Sequence, residues 1–166
     1  MEARARSLLS VQDDDVLFAH GGCHIFAQVL HEHYGYPLIS VRDGAGEHNH
    51  VACSTEEDNV LDVYGWWTRV AYIKEEGADL GIGFYPLELD ELKKQFVSGR
   101  GKGFYVHPDF EDPARDRAKR WIEAYRAYYD GTNKCPIPGL SRVKKASGSH
   151  IHSVFREDPA SSKSGG

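Results

Sequence analysis

Apolar residues recur at helical spacing in three stretches of the chain. In CHIFAQVLHEHYG they stand at i, i+3, i+4, i+7 and i+11 counted from Cys23, which is one face of an amphipathic helix with the final glycine as its C-cap. LELDELKKQFV places Leu89, Leu92 and Phe96 on one side of a second helix. The strongest pattern, DPARDRAKRWIEAYRAYYDG, predicts a helix with Pro113 in its first turn and an aromatic stripe that faces the core.

Alternating and continuous apolar runs predict strands between these helices. PLISV is a short strand that ends at the turn RDGAG, and HNHVACS and NVLDVYG are joined by the polar turn TEED as a hairpin. Beyond GWW the pattern weakens into a loop-rich stretch, and GRGKGFYVHP is a loop followed by a short strand. The first residues are a short helix or arm with Asp13, Asp14 and Asp15 as a break. The predicted fold class is α+β, a helix on a small antiparallel sheet with additional C-terminal helices.

Length and composition limit the class of protein. The chain has 166 residues, enough for one domain with its own core, which we expect over 1–142, with a largely disordered polar tail over 143–166. A net charge of −5 argues against a nucleic-acid partner. Three cysteines without a Cys-x-x-Cys pair argue against disulfides and structural zinc. Without a signal peptide or a membrane span, we expect a cytoplasmic protein, or an effector delivered without a signal peptide.

Cys23 is the first candidate for chemistry. Two glycines precede it, and it begins the first predicted helix. The positive end of the helix dipole and the unpaired N–H groups of the first turn stabilise a thiolate. The alternative is that Cys23 is a small buried residue, as most free cysteines are.

The predicted hairpin adds a base and an acid. If its turn centres near Glu56, Cys53 faces Asn59 on the apolar side, and His50 faces Asp62 on the other side with Cβ atoms roughly 4.5–5.5 Å apart. The carboxylate would orient the imidazole, which would take the proton of a cysteine nucleophile. A slip of one residue in register would separate the pair.

GGCHIFAQVL, HNHV and VLDVYGW, in this order on a helix and two strands, resemble the papain-like superfamily, most closely its transglutaminase-like and bacterial or phage peptidase branches. The resemblance covers about residues 20 to 66. It implies a minimal papain-like core and a triad of Cys23, His50 and Asp62. It also implies acyl transfer from a peptide, protein or amide through a thioester, without a cofactor, giving hydrolysis, deamidation or transamidation.

Other residues would complete such a site. The Cys23 N–H would donate to the developing oxyanion, and Gly22 would let a substrate backbone approach closely. Trp66 and Trp67 would wall the active site or shield the His50–Asp62 pair from water. For a second oxyanion donor, Gln12 is too far upstream to assign and His20 qualifies only by its proximity.

Four alternatives remain open. His48 and His50 could contribute to a cupin-like metal site, although the chain lacks the many strands of a barrel. His48 also competes with His50 as the base, but would lie opposite Tyr64. GRGKG could cradle a phosphate, although it lacks the P-loop spacing. Finally, the chain could be an inactive papain-like binding module or an inhibitor of a partner protein.

Overall fold

A computed structural model describes residues 6, 9–46, 48–56, 58–97 and 108–142. The predicted tail 143–166 and the GRGKG stretch at 99–103 lie outside the described residues. The helices are α1 (Asp14–His20), α2 (Cys23–Tyr34), α3 (Arg69–Glu76), α4 (Leu89–Val97) and α5 (Pro108–Ala124), with short 3₁₀ turns at Ala78–Leu80 and Arg126–Tyr128. The strands are β1 (Leu38–Arg42), β2 (His48–Cys53), β3 (Asn59–Asp62), β4 (Gly65–Thr68) and β5 (Gly83–Leu87).

The strands form one antiparallel sheet in the order β4-β3-β2-β1-β5. α2 packs on β2, and α5 packs on α2 from the outside. The α+β class expected from the sequence is therefore confirmed. Within the residues that the structure describes, no helix is long and apolar enough to cross a bilayer.

The main core lies between α2 and the sheet. Side chains alternate across a strand, so Val51, Cys53 and Leu61 face α2, as the apolar alternation in the sequence predicts. The opposite face carries a smaller apolar cluster, which consists of Ile39, Val41, Ala52, Val60 and Tyr72. His50 and Asp62 have the parity of this second face. The two catalytic candidates on the sheet therefore lie on the side that α3 covers.

α2 begins at Cys23 because the two preceding glycines allow the chain to turn sharply between α1 and α2. Gly22 lies at the N-cap position with φ −107°, and a Cβ there would stand 3.0 Å from the Phe18 ring. Gly35 ends the helix in the left-handed region with φ 73°, which confirms the predicted C-cap. Residues 23–30 are buried all round, because α1, α5 and the sheet cover every side of the first two turns.

The predicted register of the hairpin is wrong, although its parity is right. Cys53 pairs with Leu61, not with Asn59. The Asn59 side chain is drawn into the turn, where its Oδ1 accepts the Thr55 N–H at 2.8 Å and its Nδ2 donates to Thr55 Oγ1 at 2.6 Å. The turn between β2 and β3 is therefore longer than the sequence predicts, and the pairing of the two strands starts further from the turn. Cys53 thus pairs two positions further along β3 than predicted. A shift of two positions leaves the alternation of side chains unchanged, so His50 and Asp62 still lie on the same face of the sheet.

Two other sequence expectations are corrected, and a third is made more specific. The stretch after GWW is not loop-rich: α3 and β5 lie there. The break at the acidic run is placed at its start: residues 11–13 are non-helical between the helical residues 6 and 9 and α1, which has Asp13 at its N-cap position. α5 starts at Pro108, so Pro113 lies inside the helix and not in its first turn.

The chain after α5 crosses back over the turn between β3 and β4. Gly65 forms an isolated antiparallel bridge with Pro136, and the Ile137 N–H donates to Tyr64 O at 2.9 Å. Gly65 has φ 92°, a conformation that favours glycine. This close approach brings the last described residues to the second face of the sheet.

We expect Gly65→Ala to destabilise the protein more than Gly131→Ala. Both glycines have positive φ, 92° and 89°, so alanine at either position is strained by about 1–2 kcal/mol. Only at Gly65 would the new Cβ lie 3.0 Å from Ile137 Cγ1, whereas no described atom lies within 4 Å of one at Gly131. Overpacking should add about 1–3 kcal/mol. Urea unfolding measures both variants, and equal losses would contradict this close approach.

Candidate active site

The structure brings Cys23, His50 and Asp62 together. Cys23 is the first residue of α2 and is 5% exposed. Its thiol lies within hydrogen-bonding reach of the His50 ring and of the neighbouring His24 side chain. The N-terminal end of α2 adds the favourable field of the helix dipole to these contacts.

His50 is fixed by a hydrogen bond to Asp62. Its Nε2 lies 2.9 Å from Asp62 Oδ2, and both side chains are buried. A carboxylate only accepts hydrogen bonds, so Nε2 carries the proton and donates. Nδ1 is then the ring nitrogen that is available to hydrogen-bond with the Cys23 thiol. The Tyr72 ring packs beside the His50 ring: their centroids are 6.4 Å apart and the angle between their planes is 22°.

Asp62 is held in place from several directions. Its Oδ1 accepts the Tyr64 backbone N–H at 3.0 Å, and both of its oxygens lie 2.7 Å from Arg142 Nη2. The Tyr129 hydroxyl donates towards the Asp62 backbone carbonyl at 3.0 Å. A carboxylate with its lone pairs used in this way has little freedom to rotate away from His50.

Arg142 was missed by the sequence reasoning. Its side chain is 3% exposed, and its guanidinium carbon lies 4.5–4.8 Å from the ring centroids of Tyr64, Trp67 and Tyr72. A buried arginine is costly unless it is paired, and here Asp62 pairs with it while the three rings add cation–π attraction. The aromatic cage and the carboxylate together define where this cation can sit.

The charges of the site shift the pKa values of its members. Burial alone would raise the pKa of Cys23, but the positive charge of His50 and hydrogen bonds from His24 and His50 lower it to about 6. Burial opposes charge on His50, yet the Cys23 thiolate and the bond to Asp62 raise its pKa to about 10. At neutral pH the pair is therefore a thiolate and an imidazolium.

Asp62 is ionised despite its burial. Burial would raise the pKa of its carboxyl group, but the Arg142 guanidinium and the hydrogen bond from His50 lower it to about 2. The site is thus a row of alternating charges, from the Cys23 thiolate through the imidazolium and the carboxylate to the guanidinium.

A cavity of about 160 Å³ opens beside His50, lined by Ala19, His20, His50, Tyr64, Tyr72, Glu76 and Arg142. His20 therefore stands at the site, as its proximity in sequence suggested. Gln12 is placed elsewhere: its backbone carbonyl accepts from Arg117 Nη2 at 3.2 Å, and its side chain is exposed.

Trp66 lines a different cavity, together with Tyr36, Leu61 and Tyr129. Its neighbour Trp67 is the tryptophan at the site, below the Arg142 guanidinium. Gly22 adjoins Cys23, but its lack of a side chain also makes room for the Phe18 ring. The two predicted substrate contacts thus differ: Gly22 lies beside the thiol, and Trp66 does not lie in the cavity next to His50.

The other two cysteines have different surroundings. Cys53 donates its thiol to the Ala27 carbonyl at 3.3 Å, and burial raises its pKa. Cys135 is exposed. The metal alternative at His48 and His50 depends on the His48 side chain, which lies outside the described residues. Among the side chains that are described, no three His, Cys, Asp or Glu residues form a group that could hold a metal ion.

The missed residues came from the stretches with the weakest patterns. Tyr72 and Glu76 lie on α3, whose limits do leave a signal: the Thr68 side chain caps it by accepting the Ala71 N–H at 3.1 Å, and Gly77 follows its end. Arg142 follows a polar, proline-rich segment and has no local signal, because its role depends only on contacts made after folding.

The chain matches no protein-family model, no curated protein and no solved structure. Its function is therefore inferred from the residues and the geometry of the site.

We expect Asp62 to contribute most to the stability of the fold at pH values above the pKa that its carboxyl group has in the unfolded chain. That pKa is 3.8 and the folded value is about 2, so the contribution is present above about pH 4 and is lost as the pH falls through about 2. The stability difference between wild type and Asp62→Asn should shrink by about 2 kcal/mol between about pH 5 and about pH 2. Urea unfolding at both pH values measures it. Asp79→Asn, at an exposed carboxylate, is the control, and a difference independent of pH would contradict the assignment.

Proposed function

We propose that this protein is a cysteine-dependent acyl-transfer enzyme that acts on a peptide, protein or other amide. The observation that carries the proposal is the connected row Cys23–His50–Asp62, in which the pKa of the thiol is lowered to about 6. Buried charges that are costly to maintain and strongly shifted pKa values concentrate at functional sites. A binding module would have no use for a thiolate in this position.

The reaction follows from the protonation states. The Cys23 thiolate attacks the carbonyl carbon, and the π electrons of that bond move onto the oxygen. The oxyanion collapses, the bond to the leaving nitrogen breaks, and His50 Nδ1–H protonates that nitrogen. A thioester remains on Cys23. An incoming water or amine then loses its proton to His50 as it attacks the thioester, which releases the acid or the new amide and restores the thiolate.

Asp62 acts through His50. By accepting the Nε2–H it keeps the ring oriented and the Nδ1 position aimed at the thiol. The Cys23 backbone N–H, at the start of α2, supplies a donor for the oxyanion, and the open cavity beside His50 gives the substrate a place next to the acid–base group.

The order of a cysteine on a helix, a histidine on a strand and an aspartate on the neighbouring strand supports the resemblance to the papain-like superfamily. This resemblance favours hydrolysis, deamidation or transamidation among the acyl-transfer reactions. Three free thiols suit a reducing compartment such as the cytoplasm, where we expect the protein to act.

Acetylation by p-nitrophenyl acetate tests this function. We expect a burst of p-nitrophenolate and an acetyl thioester on Cys23, located by peptide mass spectrometry, with turnover that His50→Ala abolishes. Cys135→Ala, which removes the exposed thiol, should leave the burst unchanged. If Cys135 acquires the acetyl group and Cys23 does not, the catalytic proposal is wrong and a binding role is the better account.

A further inference from the structure

Glu76 is a carboxylate in the cavity beside His50 that the proposed mechanism does not use. It is the last residue of α3 and lines the same cavity as His50. Its side chain is 29% exposed, so it is accessible from the cavity. An acidic residue at this end of a helix is electrostatically unfavourable, since the unpaired carbonyl groups there are already negative.

Arg142 does not fully compensate this charge. Its Nη2 is engaged by both oxygens of Asp62 at 2.7 Å. Its Nη1 lies 3.6 Å from Glu76 Oε1, beyond the length of a hydrogen bond. One guanidinium thus stands between two carboxylates. Of the charged side chains that line the cavity, His50 is paired with Cys23 and Arg142 with Asp62, so the negative charge of Glu76 is left over when these five groups are summed.

The size of the cavity limits what can bind there. About 160 Å³ is well below the roughly 300–1,000 Å³ of sites that enclose a whole small-molecule ligand. It is suited to one group of a substrate, while the rest of the substrate lies outside. The Tyr64 and Tyr72 rings also line it, and aromatic rings next to a carboxylate favour a cation over an anion.

We infer that this cavity is a subsite for a primary ammonium group of the substrate, and that Glu76 is its counter-ion. This inference rests on the proposed function, since it places the ammonium group beside the reacting carbonyl. The substrate class is thereby narrowed to amides that carry an amine near the bond attacked by Cys23. Glu76 binds the substrate and determines specificity, and it takes no part in proton transfer.

Charge selectivity at Cys23 tests the subsite without a known substrate. The probes are 2-ammonioethyl methanethiosulfonate and its neutral isostere, n-propyl methanethiosulfonate. With either one the thiolate attacks the sulfenyl sulfur, a mixed disulfide forms, and methanesulfinate leaves. The measured quantity is the rate ratio of cationic to neutral reagent at Cys23, with the exposed Cys135 as the reference thiol in the same chain.

We expect Glu76→Gln to lower this ratio about fivefold, as the loss of a partly exposed charge interaction would. Glu75→Gln, which removes an exposed carboxylate one residue earlier on the same helix, should leave it unchanged. A ratio unaffected by Glu76→Gln, or lowered equally by Glu75→Gln, overturns the subsite while the catalytic proposal stands. If neither reagent labels Cys23, both the catalytic proposal and the subsite fall.

Discussion

His50→Ala is expected to reduce alkylation of Cys23 by iodoacetamide roughly twentyfold at about pH 6. Without the imidazolium, the pKa of the thiol should return from about 6 at least to its ordinary value of 9.0, because burial alone raises it. The thiolate fraction then falls about five-hundredfold, but a more basic thiolate is about twentyfold more nucleophilic, which offsets part of the loss. Rates are read for each cysteine by mass spectrometry.

The matched control is His33→Ala, at an exposed histidine on the same helix as Cys23. It should leave the rate at Cys23 unchanged. If His33→Ala and His50→Ala had the same effect, the thiol would respond to the general charge of the protein and not to a specific partner, and the pairing of Cys23 with His50 would be wrong.

Arg142→Met is expected to destabilise the fold by about 3–5 kcal/mol, the usual cost of breaking a buried ion pair by removing one partner. Asp62 would lose the cation that lies 2.7 Å from both of its oxygens. Among the described residues, its carboxylate would keep His50 and the Tyr64 N–H as partners. Urea unfolding measures the loss of stability. Arg142→Lys should recover part of it, because lysine keeps the charge but lacks the planar guanidinium that packs against the three rings.

Arg126→Met is the control for this change. Arg126 pairs with Glu123 on the surface, with both side chains more than half exposed, and such pairs contribute about 0–1 kcal/mol. The double variant Arg142→Met/Asp62→Asn should cost less than the sum of its single variants, since it leaves no unpaired charge. Additive losses, or equal losses for Arg142→Met and Arg126→Met, would show that the buried pair does not hold Asp62.

The parts of the site that depend on local pattern could be predicted from the sequence. The apolar periodicity after Cys23 predicts α2 and its limits. The alternation of apolar residues around His50 and Asp62 places both side chains on one face. The predicted register was still wrong, since the Asn59 side chain takes part in the turn. The faces on which the side chains lie were still predicted correctly, because side chains in a strand alternate with a period of two residues and the register differs by two.

The parts that depend on distant contacts could not be predicted. Arg142 meets Asp62 only because the chain after α5 returns to Gly65 and bridges it through Pro136. No spacing in the sequence encodes that return. Trp66 and Trp67 show the same limit on a smaller scale. As neighbours on β4 they face opposite sides of the sheet, and only the fold determines which of them lies at the site.

The pH dependence of alkylation at Cys23 in the unmodified chain shows whether this thiol is ionised at neutral pH. Iodoacetamide labels the protein over a range of pH, and mass spectrometry gives the rate at Cys23 and at the exposed Cys135 in the same samples. We predict that the rate at Cys23 rises with an inflection near pH 6. An inflection at Cys23 near 9.0, the value for an ordinary thiol, would contradict it.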